Sequence, residues 1–510
     1  MGCGPPTFTE PTLTATDRRR GCAGMNPPRR ELNVYCTVRH VPSRLTAHAP
    51  GGAQRRGSYR RPQERIGAGE PGPDADPVRD GLGLGRRGGE VVFWLMAVLL
   101  FYIPSAIVVV HLSRRMPLEG GLYQWAKLGF NERTAFLVAW NLWLYAMVLM
   151  SETGLQATTN IAYAWGAGAE WIVESKWFIA AASFSVIGGL AILSTIGLGA
   201  GKWLHGAGGL TMVVILTATI ALPIVYWANG GRPQSATFSL AMPALSLLNL
   251  NILGKLGFGA LGGFEYVAIF AGECRDPARL IARSVMIAAP VIAVLFILGT
   301  ASVLVFVPRD NIDLISPISQ VLSIGTRPFG LGTRIAGVVI LAVLGMRIAQ
   351  TSVNFSATAR LPMVAGWDHL LPAWFTRLHK KYKTPAQSIF FVGAMTLAFS
   401  IAGITGVRSQ EAMQLLNNAS GIFYALTYLV LFAIPIASRN KASLPVRIAA
   451  GSGFLMTLLY VVLSIFPIID VRSWASFTAK ISGAVIAGNL AGLAVFEMAA
   501  RRRRRASVAS

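Results

Sequence analysis

From residue 91 onward the chain alternates between long apolar blocks and short polar stretches. Eleven blocks can be marked, at about 91–113, 134–158, 177–198, 207–227, 248–272, 284–307, 334–357, 386–405, 413–437, 446–468 and 477–499. Each is near the ~20 residues that a helix needs to cross ~30 Å of hydrocarbon. In lipid the backbone must satisfy its own hydrogen bonds, so blocks of this length predict helices. The expected fold class is an all-α polytopic membrane protein. Composition agrees: the 510 residues are 53% hydrophobic and only 14% charged, where a soluble domain carries about a quarter charged residues.

Residues 1–90 differ from the rest. They hold 15 arginines and no lysine, are rich in Pro and Gly, and show no apolar periodicity, which predicts a disordered tail. No apolar stretch follows the early basic residues, so they do not read as a signal peptide. The expected organisation is a tail over 1–90, a transmembrane domain over 91–500 and a basic tail over 501–510.

The net charge of +23 is distributed by topology and calls for no nucleic-acid partner. Connections after the odd-numbered blocks carry Arg114, Arg115, Lys127 and Arg133, then Lys202, then Arg275, Arg279 and Arg283, then Arg360, Arg377, Lys380, Lys381 and Lys383, then Arg439, Lys441 and Arg447. The other connections are poorer or mixed. The positive-inside rule puts the first set in the cytoplasm, with Arg501 to Arg505 beside them against anionic lipid. Eleven spans then leave the arginine-rich N-terminal tail outside, against its charge, as if one span were missing.

The block "LGFGALGGFEYVAIFAG" (Leu256–Gly272) concentrates Gly257, Gly259, Gly262 and Gly263 beside the ionisable Glu265. Each glycine weakens a helix by roughly 1 kcal/mol relative to Ala, and a carboxylate at membrane depth costs at least ~2.5 kcal/mol. A helix broken there would turn unpaired backbone groups toward a cavity, as discontinuous transporter helices do. Small-residue helix packing is the other use of such glycines.

The longer stretch "FGALGGFEYVAIFAGECRDPARLIARSV" resembles the sixth-helix signature of amino acid permeases of the amino acid–polyamine–organocation (APC) superfamily. "LSRRMPLEGGLYQWAKLGF" (Leu112–Phe130) is similar to that family's second-helix exit, and "ATARLPMVAGWDHLLPAWFTRLHKKYKTP" (Ala357–Pro385) to its eighth-helix exit. The three motifs stand in the family's order over roughly residues 91–500. The resemblance implies a five-plus-five inverted-repeat fold of the leucine-transporter type with two further helices. Against that pattern the family's first helix is absent and residues 1–90 stand in its place. A misread or misplaced start of the reading frame would produce such a tail; a regulatory tail on a truncated permease is the rival.

By the same resemblance, Gly259, Ala260, Leu261, Gly263 and Phe264 form the unwound substrate-binding segment. Carbonyls of Gly259 to Leu261 would meet the substrate's amino group, amides near Gly263 its carboxylate, and Phe264 would close over it. The other candidates for coupling or structure are Glu265, Lys255, Glu152, Thr351 and Ser352. Glu265 reads either as a proton carrier or as an acceptor for backbone freed by the break. Lys255 reads as snorkelling or as facing substrate. Glu152 is able to pair with Arg347 inside the membrane, and Thr351 and Ser352 stand where sodium-coupled relatives place hydroxyl ligands. Asn417 and Asn418 fit either a cavity wall or a joint between helices.

Enzyme readings find no support. "GLGAGKW" (Gly197–Trp203) is one residue short of a phosphate loop, with Trp203 where a hydroxyl belongs. HExxH and GxSxG do not occur, and the six histidines are scattered. Cys3, Cys22, Cys36 and Cys274 form no metal-binding spacing. The expectation is therefore a plasma-membrane secondary transporter of amino acids or related amines. It would have its C-terminus inside, require no metal or cofactor, and be coupled to protons or working by exchange. A non-transporting degenerate permease or nutrient sensor is the alternative.

Overall fold

The computed structural model describes residues 90–510 apart from 117–120, 167, 231–245, 266–276, 308–311, 327–332, 364–369, 438–441, 470 and 510. The tail expected over 1–90 falls almost wholly outside this range. Among the described residues the chain is helical: α1 (Glu90–Ala97), α2 (Ile103–Arg115), α3 (Leu122–Gly129), α4 (Glu132–Met150), α5 (Thr153–Trp165), α6 (Glu170–Glu174), α7 (Lys176–Ile196) and α8 (Leu198–Ala228). There follow α9 (Leu247–Gly254), α10 (Pro277–Phe306), α11 (Pro317–Gly325), α12 (Thr333–Arg360), α13 (Ala386–Ile404), α14 (Ser409–Ala437), α15 (Leu444–Ser464) and α16 (Trp474–Ala509). Ten segments of this set are long and apolar enough to cross a membrane. They coincide with ten of the eleven apolar blocks, so the chain is an all-α, multi-pass membrane protein. The fifth block is the exception, because its helix stops in the middle.

The two edges of that picture follow from local chemistry. Asn131 caps α4, its side chain accepting from the Thr134 amide at 2.9 Å. Ser175 and Ser246 cap α7 and α9 in the same way, each satisfying an amide that the first turn leaves unpaired. The amphipathic helix α3 buries Leu122, Tyr123, Trp125 and Ala126 and exposes Lys127 and Leu128. The last helix runs on through the five arginines, which are exposed, so the expected basic tail is a continuation of the final span.

Hydrogen bonds sort the connections into two groups. Thr384, ahead of α13, donates to the Thr195 carbonyl at the end of α7 (2.7 Å), and Arg503 pairs with Glu132 at the start of α4 (3.0 Å). Elsewhere Ser409 donates to the Val173 carbonyl (2.8 Å), and Gln410 donates to Asp313 (2.8 Å). Each bond joins connections that the charge distribution assigns to one side, and none of the four joins opposite sides.

The apparent first span contains a π-helical turn, Val98–Tyr102, between α1 and α2. Pro104 lies just inside α2 and has no N–H to offer the carbonyl of Leu100. The Ser452 hydroxyl of α15 supplies that bond at 2.6 Å. The core is built around α4 and α14, with Trp94, Trp125, Trp143, Tyr424 and Tyr428 fully buried.

A labelling experiment checks the two groups. In a chain freed of its own cysteines, Lys380→Cys and Arg408→Cys, both at exposed positions, are expected to react with an impermeant maleimide from opposite membrane faces. Reaction of both from one face would contradict the arrangement.

Candidate functional site

Within the glycine-rich block the α-helix of Leu247–Gly254 first widens into a π turn, Lys255–Ala260, and then ends. Widening of this kind recurs at functional sites in helices. Gly257 packs against Met456 and Phe101, so close approach explains that glycine. Gly263 is different: its φ of 133° is a conformation that side chains disfavour. Both readings of the glycines therefore hold, at different positions. The half-helix expected after the break falls on residues outside the description.

Backbone released at this depth has no water to bond. The Gly263 amide donates to the Tyr428 hydroxyl at 2.7 Å, and the Gly262 amide to the Phe258 carbonyl at 3.3 Å. Tyr428 in turn donates to one carboxylate oxygen of Glu265, and Tyr424 donates to the other. The two tyrosines lie four apart on α14, hence on one helix face. Glu265 is only 1% exposed, so its carboxylate acts as a knot between the broken segment and α14. Phe258 packs edge-on to Tyr428, with ring centroids 5.2 Å apart, and also meets Phe101, Tyr424 and Tyr460. Phe264 is buried and stacks on Tyr102 at 4.7 Å.

Beside the break lies a cavity of about 70 Å³, room for several water molecules. Gly259 and Ala260 form one wall, and Glu152, Thr153, Gln156, Arg347, Thr351 and Asn417 are among the others. Of the five residues expected to bind substrate, the structure brings Gly259 and Ala260 to this cavity. Leu261, Gly263 and Phe264 are buried behind it. The Gly263 amide, which the resemblance gives to a substrate carboxylate, is donated to Tyr428 here.

Glu152 reaches the cavity through a break in the second span. Ser151 and Thr153 donate their hydroxyls to the carbonyls of Val148 and Met150, both at 2.6 Å. Such back-bonding competes with the helix ladder and bends it, and Glu152 sits at the joint between α4 and α5. Gln156 donates to its carboxylate at 2.7 Å. Arg347 on α12 faces the same space, close enough for its charge and that of Glu152 to attract.

The remaining candidates separate. Thr351 lines the cavity, donates to its own helix at the Arg347 carbonyl (3.0 Å) and meets Thr153 at 3.4 Å. Ser352 is turned the other way and contacts His205 of α8 at 3.0 Å. The Lys255 ammonium donates to Asn418 at 2.9 Å, and Asn418 donates to the Ser464 carbonyl at 2.7 Å. Asn418 is thus a joint between helices, whereas Asn417 is a cavity wall. Tyr424, Tyr428 and Tyr460 do not stand out in the sequence. The i, i+4 spacing of Tyr424 and Tyr428 is the one signal for the first two, since it puts both on one helix face, and nothing local marks Tyr460.

The helical fold, the interrupted segment and the polar cavity beside it define a membrane protein of the transporter type, and comparison with known proteins makes this specific. Residues 84–487 match the family model for amino acid permeases, and the chain belongs to that family. It is 24% identical over 408 residues to the aspartate/glutamate permease AcaP of Lactococcus lactis, spanning 74% of this chain and 82% of AcaP. It is 23% identical over 351 residues to a protein of Legionella pneumophila named an uncharacterized transporter, spanning 68% and 74% of the two. Among solved structures it is similar to MhsT in complex with L-phenylalanine. That match has 14% identity and a TM-score of 0.48, and covers 74% of this chain and 90% of MhsT.

Two substitutions test the geometry. Tyr428→Phe removes one bond to a buried carboxylate and one to a backbone amide, and is expected to destabilise the protein by about 1–3 kcal/mol; thermal unfolding of the purified chain reads this. A Cβ at Gly421 would collide with the Tyr460 hydroxyl. Gly421→Ala is accordingly expected to drive Tyr460 into the cavity and lower ligand binding by more than it lowers the melting temperature.

Proposed function

We propose that this permease is a secondary transporter that carries amino acids or related amines across the cell membrane by alternating access. It uses no ATP and draws on a proton gradient or on exchange of a second solute. The observation that carries the reading is the interrupted helix at Leu261 to Glu265, whose backbone turns beside a buried polar cavity at Gly259 and Ala260. Discontinuous helices at such cavities are how membrane transporters meet charged substrate groups. Family membership and the named activity of the permease from L. lactis support amino acids as the substrate class.

In this reading Gly259, Ala260 and Leu261 supply carbonyls to the substrate's amino group, and the segment Gly263–Phe264 shifts as the site opens and closes. Because Tyr428 holds the Gly263 amide in the present conformation, substrate entry and release of that tyrosine are coupled. Glu265 anchors the break in this reading and is the carboxylate placed to gain or lose a proton when the tyrosines let go. Ser352 is held by His205 and is not offered to a cation. The C-terminus and the arginine-rich connections lie in the cytoplasm by the positive-inside rule.

Proteoliposomes containing the purified full chain test the proposal. Labelled L-amino acids are expected to accumulate without ATP, either under an imposed inward proton gradient or by exchange with preloaded amino acid. Gly263→Leu is expected to abolish both binding and uptake. Binding without flux under every imposed gradient would favour a sensor, and unchanged uptake by Gly263→Leu would displace the site from the break.

A further inference from the structure

We propose that Arg347 is the carboxylate anchor of the central cavity, so that the site accepts amino acids and rejects the corresponding decarboxylated amines. The inference rests on the transport reading above and narrows its substrate class.

Arg347 is 8% exposed and lies in the middle of a span. An arginine at that depth is expensive and normally marks a substrate path or a buried partner. No hydrogen bond from its guanidinium is formed among the described residues, although it lines the cavity together with the broken segment. A guanidinium presents a planar fork of donors that matches a carboxylate. The backbone amide at Gly263, the other donor for a carboxylate, is taken by Tyr428. Arg347 is therefore the strong donor that remains directed at the cavity.

Charge balance adds the discrimination. Arg347 and Glu152 are the cation and the anion among the side chains lining the cavity, and they attract each other. A substrate ammonium drawn to Glu152 would leave Arg347 buried without its counter-ion. A zwitterion brings its own replacement, because its carboxylate restores what its ammonium takes away. An amine without a carboxylate brings none, and an uncompensated buried charge is costly. Amino-acid binding thus exchanges one through-space attraction for two direct ion pairs.

The test is ligand binding to the purified full chain, using matched probes: L-leucine against 3-methylbutylamine, L-arginine against agmatine, and L-ornithine against putrescine. The wild-type chain is expected to prefer the amino acid in whichever pairs it binds. Arg347→Gln is expected to weaken amino-acid binding by about 10- to 100-fold and to strengthen amine binding, because no guanidinium is then left without its counter-ion, erasing the preference. Arg347→Lys, which keeps the charge and loses the fork, is expected to fall between the two and serves if the Gln variant does not fold. A folded variant that binds amino acids as the wild type does would overturn the proposal while leaving the transport reading intact. So would a wild-type chain that binds the amines equally well. If the wild-type chain neither binds nor transports any amino acid, the transport reading fails first and takes this assignment with it.

Discussion

A polar backbone inside hydrocarbon must find partners, and the rest of the site depends on how this chain supplies them. The helix that starts at Leu247 loses its regular ladder at Lys255 and ends near Leu261. A lipid-facing segment could not tolerate this. Here the break is enclosed by α14 and α15, and one tyrosine hydroxyl both accepts from the Gly263 amide and donates to Glu265. A neutral donor and acceptor of this kind satisfies the backbone and the carboxylate together, which a purely apolar wall would not.

The same constraint recurs at smaller scale. Pro104 frees the carbonyl of Leu100, and Ser452 takes it. Ser151 and Thr153 bond back to their own helix at the joint between α4 and α5, where Glu152 faces the cavity. The π turns at Val98–Tyr102 and Lys255–Ala260 meet through Phe101 and Phe258, with ring centroids 5.5 Å apart. Among the described residues both π turns therefore lie against each other, and the second of them carries the Gly259 and Ala260 wall of the cavity.

Much of the architecture was legible along the chain. Apolar length alone located the spans, because ~30 Å of hydrocarbon sets a minimum that few other structures need. The four glycines and Glu265 located the break, since each is costly in a membrane helix without a compensating role. Glu152 and Arg347 were visible for the same reason, and they share one cavity. The tyrosines that bind Glu265 were not legible in the same way. Tyrosine is at home in an apolar helix, so Tyr424 and Tyr428 raise no local conflict; their role appears only when α14 packs against the break.

The sequence by itself determined where the chain crosses the membrane, which connections share a side, and which span is interrupted. These follow from transfer costs that each residue pays wherever its neighbours lie. Only the tertiary structure decided which partners those costs recruit. It brought Gly259 and Ala260 to the cavity and set Gly263 and Phe264 behind it. It also turned Thr351 inward and Ser352 toward His205, and gave Lys255 to Asn418. Adjacent residues on a helix point about 100° apart, and each face meets a helix drawn from a distant part of the chain. Helix rotation and packing made those assignments, and no local pattern encodes them.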